Sequence, residues 1–249
     1  GTFGKGANTM IAVTESVADT YLGFRNAGGY LKVQLYGEDV TVRSVVLRGN
    51  NDERIAGAAT VVMEHGGLPE VTMADDAETS VSINCGDGVK LGTTSETATE
   101  FWFVIPEVTF ENGFTIVVND INFGRFEKST SRSVTIDRNT IQPMKAIAVD
   151  ITAGVPPLNE VWYTSTDGQI VEINISDDYY NGRHWGGWGY SYGSYNTSYN
   201  PLVSNTYVDG VGRLVFKDTV TNIPCNAFGS NLASVLLPNG VIQIQDYAF

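Results

Sequence analysis

Ile223-Pro-Cys-Asn-Ala-Phe228 returns 21 residues later as Ile244-Gln-Asp-Tyr-Ala-Phe249, and Val220 and Val241 keep the same offset. The register covers a whole unit and not one chance dipeptide. A period of roughly 20–30 residues carrying an Ala-Phe corner is the signature of a stacked repeat. One such unit cannot bury its apolar edge alone; a stack can, and it then offers an extended surface for a large partner. The chain therefore reads first as a recognition protein. A stack needs about three repeats, so the protein is expected to continue beyond Phe249.

The 249 residues suffice for roughly two domains, each large enough for its own core. Fifteen Lys and Arg against 28 Asp and Glu give a net charge of −13, spread without a long acidic run. Such a charge repels nucleic-acid backbones and anionic lipid, so neither is expected as a partner. No apolar stretch approaches the ~20 residues that a membrane helix needs. No secretory signal is present; a mature secreted protein would read the same way, with Gly1 left by cleavage. Cys85 and Cys225 lie far apart without CxxC or metal-type spacing, and read as small buried residues.

Residues 1–20 read as a lead-in segment and 21–150 as one all-β domain. Short runs rich in Val, Ile, Thr and Phe are broken by Gly, Asn and Asp, and long helical periodicity is absent. Strands are predicted at 30–36, 41–48, 58–64, 80–84, 100–105, 114–119, 123–128 and 133–136. Gly49-Asn-Asn-Asp52 and Gly86-Asp-Gly88 are read as turns that use left-handed positions. Phe101-Trp-Phe-Val-Ile105 is apolar at every position, which predicts a strand covered on both faces with Trp102 in the core. Many short strands at turn-punctuated spacing predict a β-sandwich.

Pro156-Pro157 marks 151–159 as a linker, because paired prolines stiffen a connection and cannot enter a sheet interior. Residues 160–218 are read as a β-rich cap shielding the first face of the stack. Within it, 161–165 and 169–173 flank Thr166-Asp-Gly168 as a predicted hairpin, and a further strand is predicted at 213–217 after the Val208-Asp-Gly210 turn. The repeats occupy 219–249. The predicted fold class is thus all-β, a β-sandwich plus a smaller β-rich region leading into an incomplete repeat solenoid.

Chemistry is sparse. His65 lies in a Gly-rich turn and His184 in an aromatic loop; there is no HExxH pair, GxSxG elbow or phosphate-cradling loop. Asp75-Asp76 and Asp177-Asp178 are adjacent acids that could serve glycoside hydrolysis or calcium, yet without EF-hand periodicity they read as solvated turn residues. No catalytic residue, metal or cofactor is expected, and Cys85 reads as inert packing. The distinctive segment is 179–199, where Trp185, Trp188, Tyr190, Tyr192 and Tyr195 alternate with Gly, Ser and Asn. Antibody-type binding loops share this composition, and sugar rings stack on such side chains. Three readings stand: a ligand-contacting loop using these five residues, an inert low-complexity insertion, or a loop folded back over the repeat core.

The segments 223–228 and 236–249 resemble BspA-like leucine-rich repeats of surface proteins from Gram-negative anaerobes, with Pro224 and Gln245 where the family has Gly. The segments 159–168 and 203–207 are similar to the cap preceding such repeats. Phe24-Arg-Asn-Ala-Gly-Gly-Tyr-Leu-Lys-Val-Gln-Leu35, the 49–57 stretch and Glu100-Phe-Trp-Phe-Val-Ile-Pro106 resemble the second β-sandwich of fimbrillin-like proteins. These resemblances imply a secreted or outer-membrane surface-anchored lipoprotein, its lipid anchor lying upstream of this chain. Its expected function is non-enzymatic cell adhesion or capture of a host or bacterial surface protein or glycan through the repeats. The alternatives are a pilus structural or accessory subunit, paired with other pilus subunits, and a glycan-binding module using the aromatic loop.

Overall fold

The computed structural model describes residues 6–174, 188 and 200–249, and the backbone alone of 178–180 and 183–185. Among the described residues the regular structure is all β, apart from one 3-10 turn at Ser95–Thr97. The chain divides into two compact units, Gly1–Thr152 and Ala153–Phe249.

In the first unit, Gly28–Tyr36 pairs antiparallel with Thr99–Pro106 on one side and parallel with Ile141–Pro143 and Ile147–Ala148 on the other. A second sheet runs Arg125–Ser129, Phe114–Asp120, Thr41–Gly49, Ser80–Lys90, antiparallel throughout. Leu31, Val33, Phe101 and Phe103 from the first sheet and Val45, Leu47, Ile116 and Val118 from the second form one buried cluster. The sheets thus face each other across a single core, a sandwich-like arrangement in which side-chain alternation decides what is inside.

That alternation corrects the expectation for Trp102. Thr99–Pro106 buries Phe101, Phe103 and Ile105 and leaves Trp102 and Val104 half-exposed on the other face. The Trp102 indole N–H donates to Glu100 Oε2 at 3.3 Å, and Lys32 Nζ stands 5.7 Å from the ring centroid while pairing with Glu100 at 3.0 Å. An amphipathic ring on an outer face lies under the Lys32 ammonium while its polar edge keeps a partner, so continuous apolar sequence did not require two buried faces. The strand buried on both faces is Phe114–Asp120. Its inward residues enter the core, and Val117 sits opposite buried Val46 on the far side. Asn119 donates to Ser44 Oγ at 3.0 Å there, so the buried amide has a partner.

The expected turn at 86–88 is instead an excursion within one strand. Ser80–Lys90 stays beside Thr41–Gly49 throughout, but its register moves from Ser44↔Asn84 to Val42↔Val89, so residues 85–88 loop out. Gly86 (φ 59°) and Gly88 (φ 108°) supply the left-handed positions. A bulge and a hairpin turn draw on the same backbone conformations, and local sequence does not separate them.

In the second unit the sheet order is Leu202–Val208, Val211–Phe216, Glu160–Ser165, Leu232–Leu236, antiparallel. Asp209 (φ 53°) and Gly210 (φ 82°) close the first hairpin as a two-residue turn between Val208 and Val211. The predicted hairpin of 161–165 with 169–173 does not form. Both edges of Glu160–Ser165 are taken by strands distant in sequence, Val171 drops into the core, and Ile173 bridges to Phe228. The turn residue Asp167 instead accepts from the Gln169 N–H at 3.0 Å and from the Asn231 amide at 3.2 Å. These two donors hold its carboxyl below the usual aspartate range.

Candidate binding surface

The sequence repeat is a spatial register. Asn222–Ile223 lies parallel to Gln243–Ile244, with Asn222 opposite Gln243 and Ile223 opposite Ile244, so each residue meets its own equivalent 21 positions on. The Gln245 N–H reaches the Ile223 carbonyl at 2.9 Å, and the Asn226 N–H reaches the Tyr247 carbonyl at 2.7 Å. Asn226 (φ 50°) and Tyr247 (φ 58°) are left-handed at the same place in each unit, which makes them the repeated corner. Ala follows in both, and Ala227 and Ala248 are buried. A small residue suits the inside of a sharp bend where two backbones approach. Gln245, where the resembled family has Gly, puts its Oε1 on the Cys225 N–H at 3.1 Å.

The two units differ in what covers them. Val220, Ile223 and Ala227 are buried, and Phe228 stacks on Phe249 with ring centroids 5.4 Å apart. The second unit presents Ile242 (87% exposed), Tyr247 (79%) and Phe249 (61%) to solvent, beside Ile244. Four large apolar side chains within eight residues of the second repeat are thus exposed. In the sequence the repeat is marked by its 21-residue offset.

Of the five residues proposed from the aromatic loop, Trp188 has a defined place, and it corrects the expectation. Trp188 is buried, its ring 4.4 Å from Phe216 and 5.8 Å from Phe228, centroid to centroid. Its indole N–H donates to the Ala227 carbonyl at 3.1 Å, directly on the first repeat corner. A ring so enclosed has no face for a sugar; it completes the core beside the repeats. The Trp185 side chain and Tyr190, Tyr192 and Tyr195 lie outside the described residues. The backbone near them pairs Asp178 with Trp185 and Tyr180 with Arg183.

The remaining sequence candidates are not brought together. His65 Nδ1 sits 3.0 Å from Glu15 Oε1, and Asp75 pairs with Arg54 at 3.1 Å at the surface. Asp177 lies outside the described residues, and Asp178 and His184 are described by their backbone alone. Among the described residues no group of three or more His, Cys, Asp and Glu could hold a metal ion. Cys85 packs against the core of the first unit, and burial pushes its thiol from the ordinary 9.0 to about 11. At pH 8 that leaves about a hundredfold less thiolate than an ordinary cysteine has. Alkylation of Cys85, followed by peptide mass spectrometry, is expected to be slower by about that factor in the folded protein than in urea. Because its pKa rises on folding, the thiol favours the fold below pH 9.0 and loses that contribution as pH climbs toward 11. Equal alkylation rates with and without urea would contradict this burial.

The chain matches no protein-family model, no curated protein and no solved structure. Among the described residues no helix is long and apolar enough to cross a membrane.

Proposed function

We propose that the chain is a non-enzymatic surface recognition protein whose 21-residue units capture a macromolecular partner. The observation carrying this reading is the in-register parallel pairing of the two units, with Ile242, Ile244, Tyr247 and Phe249 left exposed on the second. In this reading the Gly1–Thr152 unit is a fimbrillin-like sandwich that displays the repeats, and the repeats are the start of a BspA-like stack. The partner is a host or bacterial surface protein or glycan, and the protein is secreted or held at the outer membrane by a lipid anchor. Exposed apolar and aromatic side chains on the repeats support binding by area and a few hot-spot side chains, with no covalent step.

The test is a binding screen of the chain on arrays of extracellular-matrix proteins, bacterial surface proteins and glycans. Hits are expected, with Tyr247→Ala and Ile242→Ser each weakening them by about tenfold or more, as for central interface residues. Silence on every array, or hits unaffected by both substitutions, would sink the proposal.

A further inference from the structure

The Gly1–Thr152 unit carries a groove of about 540 Å³, a size that falls within the roughly 300–1,000 Å³ of small-molecule sites. Two sheet edges wall it. Among the described residues, Arg125–Ser129 pairs only with Phe114–Asp120 and ends its sheet. Ile141–Pro143 and Ile147–Ala148 end the other sheet. Phe114, Phe126, Met144 and Ile147 supply the apolar lining, and each belongs to or packs against the core of the unit.

Lys128 and Lys145 line the same groove, one from each edge. Phe126 lies opposite Val118 and Lys128 opposite Ile116, and both partners are core residues. Cross-strand partners share a face, so Lys128 stands on the core-facing side of its strand, where alternation would place an apolar residue. On the other edge Pro143 meets Lys32 and Ile147 meets Leu35, so the register slips by one residue and Lys145 sits in a bulge. Both lysines are exposed, and neither has an ion-pair partner among the described residues. Glu127, the one acidic residue in the lining, lies opposite Val117 on the other face of the strand. Its carboxylate is engaged there by Arg48 at 3.3 Å and Arg125 at 2.9 Å. In a chain of net charge −13 the groove is locally basic. At physiological salt, charges beyond about 8 Å are screened, so these two lysines set the potential an anion meets there.

We infer that this groove binds a single-chain amphiphile with an anionic head, a long-chain carboxylate. Its chain lies on Phe126, Met144 and Ile147, and its head is held by Lys128 and Lys145. The apolar lining supplies affinity in proportion to the chain it covers, and the lysines select the charge of the head. The occupant is a dissolved molecule and not a bilayer, because a chain of net charge −13 is repelled by an anionic membrane surface. A single amphiphile meets only the groove. The site lies in the first unit alone and is independent of the recognition reading, whose test uses Ile242 and Tyr247.

Isothermal titration calorimetry of the whole chain with octanoate, decanoate and dodecanoate, each kept below micelle formation, tests it. Dodecanoate is expected to bind one per chain, and each added methylene should tighten binding about two- to fourfold. Dodecyltrimethylammonium, the same chain on a cationic head, is expected not to bind. Lys128→Glu/Lys145→Glu should weaken dodecanoate by about tenfold or more and admit dodecyltrimethylammonium. That gain of binding requires an intact groove, so loss of the fold cannot imitate it. Ile242→Ser/Tyr247→Ala should leave the dodecanoate affinity unchanged. Failure of all three carboxylates, equal affinity for the two head groups, or dodecanoate binding that survives the charge reversal would overturn the inference. Loss of dodecanoate in Ile242→Ser/Tyr247→Ala would overturn it too, by placing the ligand on the repeats. So would binding to anionic phospholipid vesicles where dodecanoate fails, which would make this flank a membrane contact.

Discussion

Replacing Trp188 by alanine is expected to destabilise the Ala153–Phe249 unit by about 3–5 kcal/mol, the range for removing a fully packed aromatic. The ring lies against Phe216 and Phe228, and its N–H satisfies the Ala227 carbonyl at the repeat corner. Truncation leaves a cavity beside Phe216, Phe228 and Ala227 in the buried cluster of this unit. It also removes one of two donors from the Ala227 carbonyl, which keeps the Asn174 N–H at 3.3 Å, so the lost hydrogen bond adds little to the packing loss. A unit of this size has a stability of roughly 5–15 kcal/mol, so the change removes a large part of it. Hydrogen exchange read at peptides from 211–216 and 220–228 is the measurement, with protection expected to fall sharply in the variant. Trp188→Phe keeps most of the packing and gives a smaller loss. If Trp188→Ala leaves exchange unchanged and abolishes binding on the arrays, the ring is a ligand contact and its place in the core is wrong.

Composition could not decide that question beforehand. Aromatics among Gly, Ser and Asn describe an adaptable binding loop and a segment that turns one ring inward equally well. What separates them is whether a hydrophobic cavity stands within reach, and here the cavity is built by Phe216 and Phe228, roughly 30 and 40 residues further along the chain. The strands of the first unit were legible for the opposite reason. Apolar alternation is local, and the predicted 30–36, 41–48, 100–105 and 114–119 differ from the observed Gly28–Tyr36, Thr41–Gly49, Thr99–Pro106 and Phe114–Asp120 only at their ends. Burial was less legible than strand identity. Trp102 is as apolar as its neighbours but can be covered from outside by Lys32.

Pairing was legible only where sequence offset and spatial register coincide. In a parallel stack of equal units each residue meets its own equivalent, so the 21-residue period is the ladder between Ile223 and Ile244. Antiparallel partners carry no such label. Glu160–Ser165 and the Thr166-Asp-Gly168 turn suggested an adjacent return strand, whereas the observed partners are Val211–Phe216 and Leu232–Leu236. The groove beside Arg125–Ser129 in the Gly1–Thr152 unit has no label in the sequence for a related reason. Phe126, Met144 and Lys145 have no common motif, and only the order of strands brings them together.

Gly212 shows how closely that non-local pairing is fitted, and Gly212→Ala is expected to cost about 2–3 kcal/mol, within the range for overpacking a core. In an open strand the same change would stabilise by roughly 0.4–1 kcal/mol, because alanine has less backbone freedom to lose on folding. The sign reverses here because Gly212 lies in the ladder between Tyr163 and Tyr207, whose ring centroids are 5.9 Å apart. A Cβ at position 212 would overlap the Tyr163 ring atoms. Tyr163 cannot swing aside freely: it is fully buried, and its hydroxyl donates to Asn205 Oδ1 at 2.6 Å while accepting from the Val171 N–H at 3.3 Å. Asn205 in turn donates to the Val171 carbonyl at 2.9 Å, so moving the ring disturbs three anchored groups at once. Urea denaturation of the wild type, Gly212→Ala, Tyr163→Leu and the double variant measures both the cost and its cause. Tyr163→Leu alone loses packing and hydrogen bonds, but in its presence Gly212→Ala should cost less than half as much, a coupling of 1 kcal/mol or more between touching residues. A neutral or stabilising Gly212→Ala, or additive effects in the double variant, would mean that Tyr163 does not lie over Gly212 and that the pairing of Glu160–Ser165 with Val211–Phe216 is in a different register.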